Sequence, residues 1–396
     1  MNRSDRRILS THVGSLPRPM DLVAGLAERD LRHPHDEAAL AARIARGVVE
    51  VMQRQREVGL DVVNDGEQSK TAFSTYVSAR LSGLTLSKAP FGFQGPTRDK
   101  NEFGAAYDEQ KAMCAARPSN INRPGGLGGV REAFVCTGPI RYTGQAAVQA
   151  DIDNLRAALG DSGQEAFITA LSPSNVALYH TNAYYRTEDE YLAALADAMH
   201  EEYAAIVDAG FLLQIDDPRL ATHYDRHPEL SIEACREVMA QWVEVINHSL
   251  RGIPEDRVRF HTCYSTNVAP RAHDMELCDF VDIMLNIHAG AYSFEAANPR
   301  HDHEWKVWEE ARLPEDKVLI PGLVSHCVAL VEHPELVAQR IERYAGVVGR
   351  ERVMASNDCG FATAGSGDEV HPDVAWAKLA ALTEGARIAS QRLWAN

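Results

Sequence analysis

The sequence of residues 258–263 is Val-Arg-Phe-His-Thr-Cys, a short run of strand-forming residues that ends in polar, metal-binding side chains. Residues two apart in a strand point to the same face of the sheet, so His261 and Cys263 can contact one ion. Residues 212–216, Leu-Leu-Gln-Ile-Asp, follow the same pattern of an apolar run with a polar end. Such runs are typical of buried parallel strands whose carboxyl ends meet at one edge of a sheet.

Eight runs of this kind occur along the chain, and long amphipathic segments lie between most of them. Strands that alternate with helices predict a parallel sheet, and eight such units predict an α/β fold of the (β/α)8 TIM-barrel type. We therefore expect one barrel domain over residues 1–396. The eight runs are 11–15, 61–65, 167–172, 212–216, 258–261, 291–295, 318–324 and 353–358. The helical segments are 37–57, 187–209, 231–250, 333–348 and 371–394.

Residues 87–145 interrupt the alternation of strands and helices. They are rich in Gly, Pro, Asn and charged residues, as in 91–96, Phe-Gly-Phe-Gln-Gly-Pro. Loops of this length in a compact domain are usually functional or carry small elements of their own. We predict an inserted segment, before the third barrel strand, that forms a lid over the active face and includes an extra strand at 134–140.

The composition indicates a folded, soluble protein without basic patches. Of 396 residues, 45% are hydrophobic and 24% are charged, which is ordinary globular usage. The formal charge of −16 argues against nucleic-acid or anionic-membrane partners, because both are bound by clustered Lys and Arg. No apolar run approaches the roughly 18 residues of a membrane-spanning helix, and residues 1–7 lack the apolar core of a signal peptide. We expect a cytoplasmic protein, with the oligomeric state, a homo-oligomer included, left open.

The side chains at the strand ends favour a zinc site. In (β/α)8 barrels, catalytic residues come from the carboxyl ends of the strands. His261 and Cys263 alone are equally compatible with a core histidine beside a core cysteine. Cys359 follows the last predicted strand and adds a third soft ligand at the same edge, and Glu295 is a candidate fourth ligand with an oxygen donor. The seven cysteines are odd in number and form no CxxC pair, which suits reduced thiols better than disulfides.

A zinc ion held in this way is suited to thiol activation. Coordination to Zn²⁺ removes the proton of a thiol whose free pKa is about 8.5. Two protein thiolates and a carboxylate keep the metal electron-rich, so the substrate sulfur remains nucleophilic. Zinc sites that activate water more typically have three neutral histidines, or two histidines and a glutamate. The ligand set therefore favours alkyl transfer to a thiol over hydrolysis.

These residues lie within six motifs that occur in order along the chain. In them the chain resembles the catalytic barrel of the cobalamin-independent methionine synthases, and more closely the short, single-barrel relatives of that family. The resemblance implies zinc-dependent methyl transfer to homocysteine, which yields methionine. The motifs are 10–18 (STHVGSLPR), 64–68 (NDGEQ), 214–218 (QIDDP), 261–264 (HTCY), 294–295 (FE) and 357–360 (NDCG). The residues that match the family's zinc ligands are His261, Cys263, Glu295 and Cys359.

The resemblance also implies how the amino acid is bound. The backbone of Gly14 and Ser15 would contact the substrate carboxylate, and Glu67 with Asp216 would bind its ammonium group. From the residues alone, other interpretations stay open. The Asp216 segment can instead be a helix N-cap, Glu67 a solvent-exposed turn residue, and His12 either a supporting group of the site or a core histidine.

The methyl donor is the least determined part of the reaction. Methyl transfer from a folate nitrogen needs a general acid. We predict His326 for this role, with Cys327 and His288 as alternatives. Residues 172–179 stand where the family carries a tryptophan-containing folate platform, and they hold no tryptophan. The donor, 5-methyltetrahydrofolate or another methyl carrier such as a corrinoid protein, therefore stays open.

Two other functions compete with methionine synthesis. A related single-barrel enzyme adds an epoxide to coenzyme M, but Glu67 and Asp216 have the wrong charge for a sulfonate. A metal-free barrel similar to uroporphyrinogen decarboxylase, or a non-catalytic binding barrel, would have no use for the zinc ligands. The sequence therefore favours transfer of an alkyl group to an aminothiol.

Overall fold

A computed structural model of the chain describes residues 1–30, 33–87, 95–116, 133–264, 270–363 and 370–395. The strands are β1 Leu9–Ser10, β2 Val63–Asn64, β3 Leu84–Ser87, β4 Ala133–Cys136, β5 Ala166–Leu171, β6 His180–Asn182, β7 Leu212–Asp216, β8 Val258–Thr262, β9 Ala291–Phe294, β10 Val318–Val324 and β11 Met354–Asn357. The α-helices are α1 Met20–Asp30, α2 Glu37–Glu57, α3 Arg98–Ala116, α4 Gln145–Leu159, α5 Pro173–Tyr179, α6 Glu188–Asp208, α7 Pro218–Arg226, α8 Ile232–Ser249, α9 Val281–Met284, α10 Val307–Glu310, α11 Pro334–Val348 and α12 Pro372–Leu393.

Eight of the strands form one curled parallel sheet. Their order is β1-β11-β10-β9-β8-β7-β5-β2, and every pair of neighbours is parallel. The two outer strands, β1 and β2, lie close together. The backbone N–H groups of Asp61 and Val62, which directly precede β2, both donate to Ser10 O of β1, at 3.0 and 3.1 Å. The predicted α/β class and the eight parallel strands are confirmed.

The predicted strand positions agree with the structure except at the first strand. We expected residues 11–15, whereas β1 covers Leu9–Ser10, and 11–15 form the loop that follows. Leu9 pairs with Met354 of β11, but the N–H of Val13 donates to the Asn357 side chain at 3.0 Å instead of to a neighbouring strand. The polar residues of this stretch therefore lie beyond the strand, at the edge where the site forms.

The five predicted helices all occur within about one residue of their expected bounds. Helix α6 shows why. The Thr187 side chain accepts a hydrogen bond from the N–H of Glu190 at 3.1 Å, which satisfies a free donor of the first turn. Gly210 follows the helix with φ +93°, a conformation that favours glycine and ends helices.

The interior of the curled sheet is apolar at its amino-terminal end. Seven buried residues form a cluster there, and most of them are the first or second residues of their strands. Arg259 of β8 is also fully buried, with its guanidinium 3.9 Å from the ring centre of Phe167. This filled end leaves only the carboxyl edge of the sheet open for a site. The apolar cluster is Val62, Phe167, Leu212, Ala291, Val318, Ile320 and Met354.

A second, three-stranded sheet lies outside the parallel sheet. Its order is β3-β4-β6, with β3 antiparallel and β6 parallel to β4. Strand β4 overlaps the extra strand expected at 134–140. Residues 88–94 and 117–132 lie outside the described residues, so the inserted lid remains a prediction. Among the residues described, no helix is both long enough and apolar enough to cross a membrane.

Candidate functional site

One pocket at the carboxyl edge of the parallel sheet collects most of the predicted site residues. Its volume is about 140 Å³. Polar residues from five different strand ends reach its wall, as expected where parallel strands converge. Gly14, Glu295 and His326 are predicted site residues that do not line it. The predicted residues on its wall are Ser15, Glu67, Asp216, His261, Cys263 and Cys359.

His261, Cys263 and Cys359 form a compact buried group, here called the thiol group. Their ligand atoms all lie within 4.8 Å of one another. The two sulfur atoms are 3.2 Å apart, which is too long for a disulfide bond of about 2.05 Å. Tetrahedral zinc, with Zn–S distances of about 2.3 Å, separates two sulfur ligands by about 3.8 Å. The arrangement needs only a small adjustment to hold such an ion.

The state of His261 also suits metal binding. Its Nδ1 lies 3.1 Å from Ser293 Oγ, which fixes the orientation of the ring. Its Nε2 is buried and has no hydrogen-bond partner among the described residues. Burial, with a smaller contribution from the Arg259 charge, lowers the pKa of His261 to about 3, so the imidazole is neutral and can be a ligand. An orphaned nitrogen beside two buried sulfurs is a donor set that fits zinc.

Glu295, the expected fourth ligand, lies outside the thiol group. Its Oε2 accepts a hydrogen bond from the N–H of Tyr264 at 2.8 Å. Its Oε1 accepts from Arg271 Nη2 at 3.1 Å and from Asn298 Nδ2 at 2.5 Å. Burial raises the pKa of Glu295, but the Arg271 guanidinium, the neighbouring His326 and the hydrogen bond from Tyr264 together hold that pKa below its ordinary value. The structure thus shows a carboxyl group whose two oxygens are held by protein donors, and the role of Glu295 as a ligand remains a prediction.

Glu295 belongs instead to a second buried group, here called the carboxyl group, together with His326 and Asp358. The ligand atoms of these three residues also lie within 4.8 Å of one another. Asp358 Oδ1 accepts hydrogen bonds from the N–H groups of Ala296 and Ala297, at 2.8 and 2.7 Å. Burial and the neighbouring Glu295 raise the pKa of Asp358 to about 8. At neutral pH this site therefore holds one carboxylate and one protonated carboxyl.

The three candidates for the general acid lie in different surroundings. His326 is buried within the carboxyl group and does not line the pocket. Cys327 is half-buried beside it, with its sulfur 3.7 Å from Ser325 Oγ. His288 is exposed and precedes β9, so it lies at the amino-terminal edge of the sheet, opposite the pocket. The structure therefore separates His288 from the site.

Glu67 is buried in the pocket wall, so the interpretation as an exposed turn residue is wrong. Only 2% of its surface is exposed. Its Oε1 accepts a hydrogen bond from Thr169 Oγ1 at 2.8 Å, and Arg18 Nη2 lies 3.7 Å from its Oε2. Its φ of +55° makes it the one non-glycine residue with a positive φ in the described ranges. Such strained conformations persist where the surroundings enforce them, often at functional sites.

Asp216 and Asp217 divide the two roles that the sequence left open. Asp217 Oδ1 accepts from the N–H of Leu220 at 3.0 Å and is the N-cap of α7. Asp216 lines the pocket, and its Oδ1 accepts from Gln214 Nε2 at 2.9 Å. Burial, followed by repulsion from Glu67, raises the pKa of Asp216 well above its ordinary value. Two acidic side chains in one buried pocket favour a cationic ligand.

The loop after β1 brings its backbone close to these acidic residues. Gly14 has φ +154°, and a Cβ atom there would lie 2.7 Å from Thr169 Cγ2 and 3.2 Å from Glu67 Oε1. A glycine is therefore required for this approach. Ser15 lines the pocket next to it. His12 is a core histidine, since it is fully buried, lies outside the pocket wall and has its Nε2 2.9 Å from Gln55 Oε1.

The sequence did not predict the outer wall of the pocket. Phe73 and Tyr179 meet edge to face there, with ring centres 6.2 Å apart. Thr222 and Arg226 are four residues apart on α7, which puts them on the same face of that helix. Their four-residue spacing, in the helix that follows the 214–218 motif, was the pattern from which this pair could have been predicted. The wall residues missed are Phe73, Tyr179, Pro218, Thr222, Arg226 and Thr363.

Comparison with known proteins supports the resemblance seen in the motifs. The chain is 24% identical over 395 residues to methionine synthase of Saccharolobus solfataricus, covering 97% of this chain and 95% of that protein. It is 25% identical over 386 residues to methionine synthase of Thermococcus kodakarensis, covering 96% and 93%. No protein-family model matches the chain.

Solved structures show the same fold along nearly the full length. A B12-independent methionine synthase from Shewanella sp. W3-18-1, solved with selenomethionine, superposes with a TM-score of 0.72 at 18% identity, covering 98% of this chain and 100% of that one. A putative vitamin-B12-independent methionine synthase from Listeria monocytogenes gives a TM-score of 0.63 at 19% identity, covering 96% and 98%. The resemblance to the cobalamin-independent methionine synthases is confirmed.

Proposed function

We propose that this chain is a zinc-dependent methyltransferase that converts homocysteine to methionine. The observation that carries the proposal is that one pocket joins the thiol group to the two acidic side chains of Glu67 and Asp216. A soft metal site suits a sulfur nucleophile, and an acidic recess suits the ammonium group of the same small molecule. The likeness to methionine synthases over nearly the whole chain supports this pairing.

We assign His261, Cys263 and Cys359 as zinc ligands and Glu295 as the fourth. Strand β9 pairs with β8 in the register His261 to Ser293, so Glu295 follows the neighbouring strand end, beside Cys263. When bound, Zn²⁺ supplies the Lewis acid that removes the proton of the substrate thiol. The two cysteines keep the donor set electron-rich, and Ser293 keeps the His261 ring in place through Nδ1.

The acidic half of the pocket orients the substrate. Glu67 and Asp216 bind the ammonium group, whose charge offsets the repulsion between their carboxylates. The backbone of Gly14 and Ser15 contacts the substrate carboxylate, at a loop that glycine allows to pass close to Glu67. Holding the amino acid at both ends fixes where its sulfur lies, which lowers the entropic cost of the transfer.

The proton for the departing donor comes from His326. The adjoining Glu295 carboxylate stabilises a positive charge on its ring, and Asp358 lies in the same group. The donor, 5-methyltetrahydrofolate or another methyl carrier, approaches from the outer wall, where Phe73 and Tyr179 offer aromatic surface. Donation to the carrier, followed by methyl transfer to sulfur, leaves methionine in the pocket.

We further propose that the eight parallel strands form a closed (β/α)8 barrel in one domain, with residues 87–145 as the lid. The hydrogen bonds from Asp61 and Val62 to Ser10 support closure, because they join the two outer strands of the sheet. Helix α3 and strand β4 lie within this segment, and β4 pairs with β3 and β6 outside it. The backbone oxygen of Pro270, near the site loops, accepts a hydrogen bond from Tyr107 of α3 at 3.0 Å.

The test is product formation by the zinc-loaded protein. Homocysteine is supplied with 5-methyltetrahydrofolate, with a methylated corrinoid or with an epoxide, and the products are identified by mass spectrometry. Methionine from either methyl donor supports the proposal. Turnover of only an epoxide, or better use of a sulfonate thiol than of homocysteine, would contradict it.

A further inference from the structure

Lys70 is a buried cation that the proposed mechanism does not use. Only 1% of its surface is exposed, and within the described part of the chain no carboxylate lies within 4.0 Å of its ammonium group. Lys378, which is as deeply buried, has the usual arrangement, an ion pair with Glu332 at 2.8 Å. Burying a charge without an ion pair is unfavourable, so the position of Lys70 calls for a specific role.

The contacts of Lys70 lead directly to Glu67. Its Nζ lies 2.6 Å from Thr169 O and 3.0 Å from Thr169 Oγ1. An ammonium group only donates hydrogen bonds, so the Thr169 hydroxyl accepts from Lys70 and must direct its own proton elsewhere. That proton goes to Glu67 Oε1, at 2.8 Å. The hydrogen bonds therefore have one direction, from the lysine through the threonine to the glutamate.

The chain around Glu67 holds these three residues in register. The N–H of Lys70 donates to Glu67 O at 3.0 Å, and the N–H of Glu67 donates to Asp65 Oδ1 at 3.0 Å. The Lys70 ammonium also lies 4.4 Å from the ring centre of Tyr76, a contact that stabilises a buried cation. The tight turn that strains Glu67 is thus the same turn that carries Lys70 toward Thr169.

Only one of the two Glu67 oxygens is used by this chain of contacts. Oε1 is held by Thr169, whereas Oε2 has no hydrogen bond in the described structure and has Arg18 Nη2 at 3.7 Å. Glu67 lines the pocket, so Oε2 keeps its capacity to accept a hydrogen bond from a ligand. The carboxylate is therefore fixed on one side and available on the other.

We propose that Lys70 is a positioning residue for amine recognition. Acting through the Thr169 hydroxyl, it fixes Glu67 by Oε1 and leaves Oε2 to accept a hydrogen bond, so that the pocket selects thiols that carry an ammonium group. This inference rests on the proposed function, in which homocysteine is the substrate. It predicts that removing the lysine affects the amine end of the substrate and leaves the sulfur end unchanged.

The experiment compares homocysteine with 4-mercaptobutanoate, which lacks only the amine. Isothermal titration calorimetry of the zinc-loaded protein gives the Kd of both thiols for Lys70→Met and for Thr169→Val. We expect each variant to bind homocysteine about tenfold more weakly, the effect of losing one hydrogen bond to a charged group, and 4-mercaptobutanoate within about twofold of the parent protein. The double variant should be no weaker than the weaker single variant, because both changes break the same chain of contacts.

Lys317→Met is the matched control. Lys317 is a buried lysine paired with Glu255, and it precedes β10 at the opposite edge of the sheet. Its substitution should leave the Kd of both thiols unchanged. Circular dichroism and zinc content establish that each variant is folded. If Lys70→Met does not fold, Thr169→Val decides the matter alone, since it replaces one hydroxyl by a methyl group.

An equal loss of affinity for both thiols would overturn the inference, because it would mean a general structural role. Unchanged affinity for homocysteine in both variants would overturn it as well. If the parent zinc protein bound neither thiol, the proposed function would fail and the inference with it. That result is distinct from the other two, in which the parent protein binds homocysteine normally.

Discussion

His261 of the thiol group lies at the end of β8 and Glu295 of the carboxyl group follows the neighbouring strand β9, yet the protein treats their ligand atoms differently. In the thiol group, His261 Nε2 has no hydrogen-bond partner among the described residues. In the carboxyl group, both oxygens of Glu295 accept hydrogen bonds, including one from Arg271. Buried donors that the protein leaves unsatisfied are those that an exogenous ligand must satisfy. By this criterion His261 Nε2 is open to an added ligand and Glu295 is not, while Asp358 Oδ2 of the carboxyl group also lacks a hydrogen bond among the described residues.

The largest effect should follow from removing a sulfur of the thiol group. We expect Cys263→Ser to weaken zinc binding about a thousandfold, because four ligands share a binding free energy of about 10–16 kcal/mol. Competition with a chromogenic chelator measures the affinity. Cys235→Ser is the control, since Cys235 is equally buried but lies in α8, away from the pocket. Equal zinc affinity in both variants would show that the thiol group does not bind the zinc ion.

The stability of the protein around the thiol group should depend on pH through His301. Burial opposes charge on this ring, but hydrogen bonds to Asp274 and Glu304 outweigh it and raise its pKa to about 9. The ring stacks on Tyr264, next to Cys263, at 3.8 Å. Because the folded-state pKa lies above the ordinary 6.5, the stabilisation is complete below pH 6.5 and is lost as pH rises through 9.

The charged His301 ring should contribute about 3 kcal/mol to the free energy of unfolding, because its pKa rises from 6.5 to about 9 on folding. Urea unfolding of the metal-free protein and of His301→Gln, at pH 6 and pH 9.5, measures it. The difference in stability between the two proteins should be large at pH 6 and small at pH 9.5. A difference that does not change with pH would show that the His301 ring is not charged in the folded protein.

Glu295→Gln tests whether Glu295 binds the metal of the thiol group or serves only within the carboxyl group. As the fourth ligand, Glu295 should contribute about a hundredfold to zinc affinity, whereas as a partner of Arg271 alone it should contribute only to stability. Zinc affinity and the melting temperature are measured on the same sample. Glu202→Gln is the control, because Glu202 is a buried glutamate held by Arg80, remote from the thiol group. If Glu295→Gln lowers the melting temperature but leaves zinc affinity unchanged, then Glu295 is not a ligand and the protein binds zinc through three residues.

The smallest of these effects concerns the substrate. We expect Glu67→Gln to raise the KM for homocysteine about thirtyfold with little change in zinc affinity, since an amide cannot replace a buried carboxylate that binds an ammonium group. Steady-state kinetics and chelator competition provide the two readouts. A fall in kcat with an unchanged KM would place Glu67 in the chemical step instead of in substrate binding.

The sequence predicted the parts of the site that strand periodicity determines. His261 and Cys263 share a face because they are two residues apart, and Cys359 reaches them because parallel strands end at one edge. The same rule explains the error at the first strand, where the site residues lie in the loop that follows β1. Asp216 and Asp217 were not separable by pattern, since only the folded chain shows which of them caps α7.

Contacts between segments that are far apart in the chain could not be predicted from the sequence. Arg271 reaches Glu295 from a position seven residues beyond the 261–264 motif, where no pattern marked it. The burial of His326 depends on packing between several elements. The outer wall of the pocket comes from helices α5 and α7 and from the loops that carry Phe73 and Thr363. Lys70 lay only two residues beyond a quoted motif, but its direction toward Thr169 depends on the strained backbone of Glu67.

X-ray absorption at the zinc edge counts the sulfur atoms bound to the metal. We expect two sulfur neighbours in the zinc-loaded protein, from Cys263 and Cys359, and a third sulfur when homocysteine is added. Methionine, whose sulfur carries the methyl group, should not give the same spectrum. A zinc site that keeps two sulfur neighbours at saturating homocysteine would contradict thiol activation at this pocket.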